Sequence, residues 1–265
     1  MKNFLVLIFL FPICTNAQFF LKKNHFVYGV NAGAYMANKN TAHLYRGDAT
    51  SYNVYSIFNN QNYTATFNQY FQYPYSIVDL PNMVYKPGLE IGIHLGKQFE
   101  HIKYYMDLNF ADLTLVDFIT IAVDNPNNQS TEPDYQAINI NGKEKRNFLN
   151  LGVIANLIDK EDFHVGFPIF AQFNQISLES NYIIVNNKTY NINHSQVNSP
   201  HFPQTNPGGF SFGVGSGLIF TFDLNEKIDV SFGYHIQFAS TNMSDQLNPW
   251  GLQHSTFLRM VWMKE

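Results

Sequence analysis

The sequence is almost without cysteine, because the single one among its 265 residues is Cys14. This cysteine falls inside an apolar N-terminal stretch that we expect to be removed, so the mature chain should contain no disulfide bond. An exported chain of this length without disulfides must be held together by backbone hydrogen bonds and side-chain packing.

The sequence also lacks long hydrophobic runs and any excess of positive charge. Beyond the N-terminus, no segment approaches the roughly 18 consecutive apolar residues of a membrane helix. Charged residues make up only 14% of the chain, and 20 acidic against 16 basic side chains give a net charge of −4. This balance offers no basic surface to a nucleic acid, so we predict no nucleic-acid partner.

The N-terminus has the pattern of a secretory signal peptide. Lys2 precedes an apolar run over residues 4–11, and a small-residue end follows at Ala17. The run is much shorter than the about 20 apolar residues of a transmembrane anchor. The sequence therefore predicts a cleaved signal peptide over residues 1–17, export of the protein, and a single mature domain over residues 18–265.

In the rest of the chain, apolar residues often alternate with glycine or polar residues at a period of two. From Phe210 to Leu224, most alternate positions are apolar, and the positions between them are mainly glycine or polar. This period indicates β-strands with two chemically opposite faces. Eight segments carry it: residues 26–36, 88–99, 102–115, 148–158, 163–176, 210–224, 228–238 and 255–263.

The connections between these segments alternate strictly between short and long. The short ones are residues 100–101, 159–162 and 225–227, and the long ones are 37–87, 116–147, 177–209 and 239–254. Tight turns on one rim and long loops on the other are typical of an outer-membrane barrel. An even number of strands closes the sheet and leaves no edge exposed to lipid. We predict an all-β fold, an eight-stranded antiparallel up-and-down transmembrane barrel.

A soluble, lipocalin-like barrel is the alternative, since it is also an up-and-down barrel. In that barrel the apolar set would face inward, and glycines such as Gly92, Gly213 and Gly233 would face water. Glycine inside a strand costs stability unless a close approach requires it. A narrow lumen filled with side chains supplies that requirement, so the pattern favours the membrane barrel.

This layout resembles the small eight-stranded outer-membrane proteins of the OmpA transmembrane-domain, OmpX and OmpW types. The likeness is architectural and covers residues 26–265. The signal-peptide end at residues 16–18 and the Asn- and Tyr-rich loops are similar to those of Bacteroidota outer-membrane barrels. The resemblance implies an outer-membrane location with outer-membrane lipid around the barrel. The chain departs from the pattern at its end, because Lys264 and Glu265 stand where a terminal aromatic residue is usual.

Several ionisable side chains fall in the strand phase that we assign to the lumen. They are Glu90, His94, Lys103, Asp107, His164, Asp229, His235 and Arg259. The interior of an eight-stranded barrel is only wide enough to be filled by side chains, and buried charges must pair to offset their desolvation. We therefore predict a structural polar network rather than a proton or ion path. The histidines lack the spacing of a zinc site, so we expect no metal and no cofactor.

One class of barrel enzymes shares part of the sequence pattern. Lipid A deacylases of the PagL type carry a His-x-Ser-Asn motif near the end of the seventh strand, followed by Asn-Pro-Gly. Here Ser240 and Asn242 are followed by Asn248 and Pro249, but Phe238 stands where the motif has histidine. A serine without an adjacent base is not activated. We predict no enzymatic activity and keep lipid A deacylation and small-solute conduction as alternatives.

The first long loop is rich in tyrosine and asparagine, which combine rigid contact area with adaptable hydrogen bonding. Our binding candidates in this loop are Tyr52, Tyr55, Tyr63, Tyr70, Tyr73 and Tyr75. Alternatively, these residues pack on one another above the membrane. We predict a non-enzymatic protein that acts in surface binding or adhesion, or as an accessory subunit of an envelope complex. Its partner would be an extracellular ligand or an envelope protein.

Overall fold

The computed structural model describes residues 25–46, 53–79, 83–99, 102–160, 162–192, 208–225, 227–243 and 249–264. The predicted signal peptide and Tyr52 lie outside these residues. No helix in the described ranges is long and apolar enough to cross a membrane.

Strands account for most of the described residues. They are β1 (His25–Met36), β2 (Tyr75–Asp79), β3 (Gly88–Gln98), β4 (Ile102–Val123), β5 (Asp134–Lys160), β6 (Phe163–Val185), β7 (Lys188–Asn191), β8 (Gly208–Asn225), β9 (Ile228–Ser240) and β10 (Trp250–Lys264). Between β1 and β2 lie a 3₁₀ helix, Lys39–Arg46, and two α-helices, α1 (Val54–Phe58) and α2 (Gln61–Phe71).

Eight of these strands form a closed antiparallel ring. Hydrogen-bonded neighbours follow the order β3, β1, β10, β9, β8, β6, β5 and β4, and β4 pairs back with β3. The predicted eight-stranded antiparallel barrel is therefore confirmed, and each predicted segment lies within one strand of the ring apart from residue 99. The turns β3–β4, β5–β6 and β8–β9 mark one end of the barrel, here called the turn end. The opposite end is called the loop end.

Three strands continue well beyond the barrel at the loop end, which corrects two of the predicted long loops. β4 continues to Val123, β5 begins at Asp134, and β6 continues to Val185. Residues 116–123 and 134–141 pair with each other, so most of the predicted loop 116–147 is a hairpin. The short strands β2 and β7 pair with β4 and β6. The result is an extra-barrel sheet in the order β2, β4, β5, β6, β7.

Both α-helices lie in the first long loop, where the sequence analysis predicted no helix. Asn53 caps α1 by accepting a hydrogen bond from the Ser56 amide, and Asn60 caps α2 by accepting one from the Asn62 amide, each at 2.9 Å. Asparagine is a favoured N-cap because its side-chain oxygen satisfies an amide that the helix leaves unpaired. The asparagines of this loop thus start helices.

The helices cover one face of the extra-barrel sheet and bury an apolar core against it. Val54, Ile57 and Phe58 of α1 and Phe67 and Phe71 of α2 are at most 3% exposed. The sheet contributes Leu115, Ile119, Ile121, Val123, Ile138, Ile140, Ile176, Leu178, Ile183 and Val185. The 3₁₀ helix, α1, α2 and the extra-barrel sheet together form a unit that we call the loop-side domain.

Within the barrel, each strand turns most of its apolar side chains outward and most of its polar side chains inward. Leu89, Ile91 and Leu95 of β3 point outward and are 44–67% exposed, whereas Glu90 and His94 are at most 1% exposed. Outward apolar side chains at least 38% exposed continue around the ring, for example Phe26, Val30, Met106, Leu108, Phe110, Leu151, Leu157, Ile169, Phe173, Phe212, Val214, Phe222, Phe232, Phe238, Leu252, Leu258 and Met260. This outward surface is called the apolar belt.

On β4 the inward face becomes apolar near the height where Asp112 and Thr114 interrupt the outward apolar run, which resumes at Val116 and Phe118. Outward positions change from Phe110 to Asp112, and inward positions change from Asn109 to Leu113. One alternating strand is thus polar inside and apolar outside within the barrel, and apolar inside within the loop-side domain. The crowded lumen also explains the strand glycines, because a Cβ at Gly92 would lie 1.8 Å from the side chain of Asn109.

Candidate functional site

A hydrogen-bonded layer centred on Asp107 crosses the barrel interior. Its carboxylate oxygens lie 2.5 Å from Nδ1 of His94 and 2.6 Å from Nη2 of Arg259. Arg259 also donates through Nε to Asn31 at 2.7 Å, and Asn31 donates to Asn109 at 3.1 Å. All five side chains are nearly inaccessible to solvent. We call this group the central layer, and its pairing offsets the desolvation of the charges.

Two more of the predicted lumen residues lie inside the barrel near this layer. Glu90 accepts a hydrogen bond from the Ser255 hydroxyl. His235 is 2% exposed, and its ring lies 4.9 Å from that of Phe170 and 4.7 Å from that of Phe257. The structure therefore brings Glu90 and His235 into the same closed interior as Asp107.

The other predicted lumen residues line a cavity of about 670 Å³ at the turn end. Lys103 and Asp229 lie in its wall, and Arg259 reaches it from the central layer. His164 stands between two carboxylates, with Nδ1 2.5 Å from Asp159 and Nε2 3.0 Å from Asp223. The eight predicted residues thus divide between a closed layer and this cavity. Within the described ranges, no group of His, Cys, Asp and Glu could hold a metal ion.

A second polar cluster closes the loop end of the barrel and was missed by the sequence analysis. Arg146 donates through Nε to Glu144 at 2.5 Å and through Nη1 to Gln253 at 2.8 Å. The hydroxyls of Tyr45 and Tyr85 donate to the other oxygen of Glu144, at 2.9 and 2.8 Å. This cluster, called the outer network, ties the barrel wall to the 3₁₀ helix that carries Tyr45.

The outer network changes the acidity of its two phenols, which lie outside the barrel strands. Burial raises the pKa of Tyr45 and Tyr85 well above the ordinary tyrosine value, and the Glu144 carboxylate raises both further. A neutral phenol can donate to a carboxylate, whereas a phenolate cannot. The raised pKa therefore preserves these hydrogen bonds far into the alkaline range.

The sequence contains a signal for the outer network that was not used. Glu144 and Arg146 are buried, while Lys143 and Lys145, which alternate with them, are exposed, so the alternation of β5 continues upstream of residue 148. Because all four residues are charged, the alternation is invisible to a search for apolar positions. Only the phase of the downstream strand identifies which pair faces inward.

Side chains also fill the interior between the central layer and the outer network. The rings of Tyr35 and Phe148 lie 5.2 Å apart, and both side chains are at most 1% exposed. Gln172 of β6 donates to Asn150 of the neighbouring strand β5 at 3.0 Å. This stack of layers is what an eight-stranded ring has room for. The described interior is therefore obstructed at several heights.

The tyrosine candidates of the first loop divide into a packed and an exposed group. Tyr63, Tyr73 and Tyr75 are half-buried against the core of the loop-side domain. Tyr55 and Tyr70 are 46% and 38% exposed. The packing reading applies to the first group, and for Tyr55 and Tyr70 the binding reading stays a prediction.

Ser240, the serine of the partial deacylase pattern, is hydrogen-bonded to the backbone of Phe212. Its hydroxyl donates to the carbonyl oxygen of Phe212 at 3.2 Å and lies 3.3 Å from the Phe212 amide nitrogen. The side chain is 2% exposed. In the part of the chain that the structure describes, no basic side chain contacts this hydroxyl.

No protein-family model and no curated protein matches this sequence. Among solved structures, Neisserial surface protein A (NspA) is similar with a TM-score of 0.42 and 8% identity, covering 92% of this chain and 100% of that one. A structure of Ail, the attachment invasion locus protein of Yersinia pestis, is similar with a TM-score of 0.35 and 10% identity. It contains the heparin analogue sucrose octasulfate, and the match covers 91% of this chain and 96% of that one. Another structure of Ail from Yersinia pestis has a TM-score of 0.30 and 8% identity, with the same coverage of both chains.

Proposed function

We propose that this chain is an outer-membrane β-barrel whose loop-side domain is a non-enzymatic binding surface at the cell exterior. The apolar belt carries this proposal. Leu89, Phe212 and Leu258 are 58–67% exposed, and similar side chains surround the whole ring. A soluble monomer rarely exposes contiguous apolar surface on this scale. A closed barrel in lipid must expose it, because acyl chains are its solvent.

The dimensions of the belt support a membrane location. On β8 it extends from Phe210 to Phe222, about 40 Å along the strand and about 30 Å along the axis at a ~40° tilt. The apolar band of outer-membrane barrels is about 25 Å tall. Aromatic side chains occur near both edges of the belt, as in interfacial girdles. Trp262 stacks on Tyr28 near the turn end, and Trp250 packs on Phe212 near the loop end.

The polar interior argues against the soluble, lipocalin-like alternative. A soluble barrel needs an apolar core, and here the central layer places Asp107, Arg259 and His94 at the axis. Burying these charges costs free energy that a soluble fold of this size would avoid. In a membrane barrel the same arrangement is the ordinary way to fill the lumen.

The loop-side domain supports the binding role. Its apolar core gives it a fixed shape, unlike a set of mobile loops. Exposed aromatic side chains remain on its surface, including Tyr55, Phe118 and Tyr135 at 46%, 51% and 56% exposure. Aromatic residues are enriched at protein interfaces. The partner is either an extracellular ligand or another protein of the envelope, in which case the chain acts as an accessory subunit.

The location is tested by expressing the full chain in a Gram-negative host and fractionating the envelope. We expect the protein in the outer-membrane fraction, with a folded form that migrates differently from the boiled form in electrophoresis. The Asp107→Leu variant serves as a folding control, because it breaks the central layer and should weaken the folded form. A mature chain that is monomeric in water without detergent would refute the proposal.

The binding role is tested with a photo-crosslinking amino acid placed at Tyr55 or Phe118 in intact cells. We expect discrete protein-sized adducts from these positions. The same amino acid at Tyr104, which lies in the apolar belt, is the matched control and should give none. Correctly inserted protein that forms no adduct from either loop-side position would exclude a protein partner there.

The two alternative functions have separate tests. Given the obstructed interior, we expect no single-channel current from the purified protein in a planar bilayer. Because Ser240 is bonded to Phe212, we expect no change in the mass of lipid A on expression. A lipid A mass shift that disappears in Ser240→Ala would restore the deacylase reading, and a reproducible current would restore the channel reading.

A further inference from the structure

The apolar belt is interrupted at one place by a hydrogen-bonded pair of polar side chains. The hydroxyl of Tyr234 and Nδ1 of His254 lie 2.8 Å apart, and the two rings stack with an interplanar angle of 17°. His254 shares the outward phase of β10 with Leu252 and Leu258, which are 56% and 60% exposed. Tyr234 shares the outward phase of β9 with Phe232. Both side chains therefore point away from the lumen.

Two hydroxyl side chains lie on the same outward surface. Tyr234 pairs with Thr256 on β10, and Ile236 pairs with both His254 and Ser216 of β8. Ser216, Tyr234, His254 and Thr256 are called the polar patch. Elsewhere the described outward positions between the belt edges carry, apart from the phenols of Tyr28 and Tyr104, apolar side chains: Val30, Ala32, Ala34, Leu89, Ile91, Ile93, Leu95, Met106, Leu108, Phe110, Leu149, Leu151, Val153, Ala155, Leu157, Ile169, Ala171 and Phe173. Among the described outward positions of the belt, the imidazole and the aliphatic hydroxyls thus lie together with Tyr234 on the neighbouring strands β8, β9 and β10.

A polar group that faces acyl chains is costly unless it has a hydrogen-bond partner. The Tyr234 hydroxyl and Nδ1 of His254 satisfy each other. Nε2 of His254 has no partner among the residues that the structure describes. When the tyrosine hydroxyl donates to Nδ1, a neutral imidazole carries its proton on Nε2. The patch then presents an N–H donor to the outside of the barrel.

The polar patch lies close to the loop end of the belt. The register partner of His254 on β1 is Met36, the last residue of that strand. Further along β10, Trp250 packs on Phe212 and Phe238 and marks the aromatic edge. Just inside such an edge, a bilayer places the carbonyl groups that join acyl chains to the polar part of each lipid. These carbonyl groups accept hydrogen bonds and have no donor of their own.

We propose that the polar patch binds the ester or amide carbonyl of a lipid in the outer leaflet, an inference that rests on the proposed membrane location. His254 donates through Nε2 to the carbonyl oxygen, and Tyr234 holds the imidazole in position. Ala34, the register partner of Thr256 on β1, leaves room for an acyl chain beside the patch. A second copy of the chain fits less well, because two-fold symmetry would place the same donors opposite one another.

The test compares two lipids that differ only in this carbonyl. Folded protein in detergent is mixed with ester-linked phosphatidylethanolamine or with its ether-linked analogue of equal chain length, and bound lipid is counted by native mass spectrometry. We expect wild-type protein to retain the ester lipid roughly tenfold better, the effect of one well-formed hydrogen bond. The preference should fall to about onefold in His254→Leu and in Tyr234→Phe. The Tyr104→Phe variant, which removes a belt hydroxyl on β4, should keep it.

The possible outcomes separate this inference from the proposed function. Equal retention of the two lipids by wild-type protein that inserts into vesicles would overturn the lipid site and leave the membrane location intact. A wild-type dimer that dissociates in His254→Leu would overturn it in favour of a second copy. Failure of wild-type protein to insert into vesicles would overturn the membrane location and the lipid site together.

Discussion

At the scale of single residues, the barrel interior is organised around the paired charges of the central layer. One carboxylate oxygen of Asp107 pairs with Arg259 and the other pairs with His94, and the three residues belong to different strands. The phase of each strand could be predicted from the sequence, and so could the inward direction of these side chains. Their contacts could not, because the pairing of His94 with Asp107 depends on the register between β3 and β4. Register arises from the turn and from the packing of whole strands.

Replacing Arg259 with methionine should cost the barrel about 3–5 kcal/mol, since a buried carboxylate loses its main counter-charge. The loss would appear as a lower free energy of unfolding in urea, followed by tryptophan fluorescence of protein in lipid vesicles. Lys145→Met is the matched control, because the Lys145–Glu179 pair is 50% and 39% exposed. Such a surface pair contributes about 0–1 kcal/mol. Equal effects of the two substitutions would contradict the structural role of the central layer.

The phenols of the outer network should delay part of the tyrosine titration. The pKa of Tyr45 and Tyr85 is raised in the folded state above the ordinary value of about 10. Their contribution to stability is therefore complete below pH ~10 and is lost as the pH rises through the folded-state pKa. The absorbance of tyrosinate should show a late phase in folded protein that is absent from unfolded protein. Tyr45→Phe with Tyr85→Phe should reduce the amplitude of that phase by two tyrosines, and an unchanged amplitude would contradict the assignment.

At the scale of secondary-structure elements, apolar alternation identified every strand of the ring but underestimated the lengths of β4, β5 and β6. The predicted ends at residues 115, 148 and 176 are close to where polar side chains first appear on the outward face. Beyond that height β4 still alternates, but Ile119 and Ile121 now face a core instead of polar neighbours. The helices were missed for a related reason, because their aromatic and asparagine residues were read as loop composition. Val54, Ile57 and Phe58 have helical spacing that was available in the sequence.

The loop-side domain should unfold locally without opening the barrel. Phe67 of α2 is fully buried between Phe58 and Tyr190, with ring centroids 5.1 Å from each. Phe67→Ala should cost about 3–5 kcal/mol by creating a cavity. Limited proteolysis of vesicles should then cleave within residues 53–79, while the membrane-embedded ring stays protected. Tyr70→Ala, one turn along the same helix but 38% exposed, should cleave no faster than wild type.

If Phe67→Ala instead released the whole chain to protease, the barrel and the loop-side domain would form one cooperative unit. The outer network is the connection that would transmit such an effect, since Tyr45 and Glu144 join the 3₁₀ helix to β5. Protein that carries both Phe67→Ala and Tyr45→Phe would then be cleaved no faster by protease than protein that carries Phe67→Ala alone.

At the scale of the whole molecule, one continuous set of strands builds both the barrel and the loop-side domain. β4, β5 and β6 pass from a ring with a polar interior into a sheet with an apolar core. Under the proposed outer-membrane location, the apolar belt lies in lipid and the loop-side domain lies at the exterior.

This orientation can be tested by cysteine labelling, because the only native cysteine is Cys14 in the predicted signal peptide. In intact cells, a membrane-impermeant maleimide should label Gln129→Cys at the tip of the β4–β5 hairpin. Lys227→Cys at the turn end should be labelled only after the outer membrane is permeabilised. Ile93→Cys in the apolar belt should stay unlabelled in both cases, because lipid excludes the reagent. Labelling of Lys227→Cys in intact cells would reverse the orientation, and labelling of Ile93→Cys would place the belt in water.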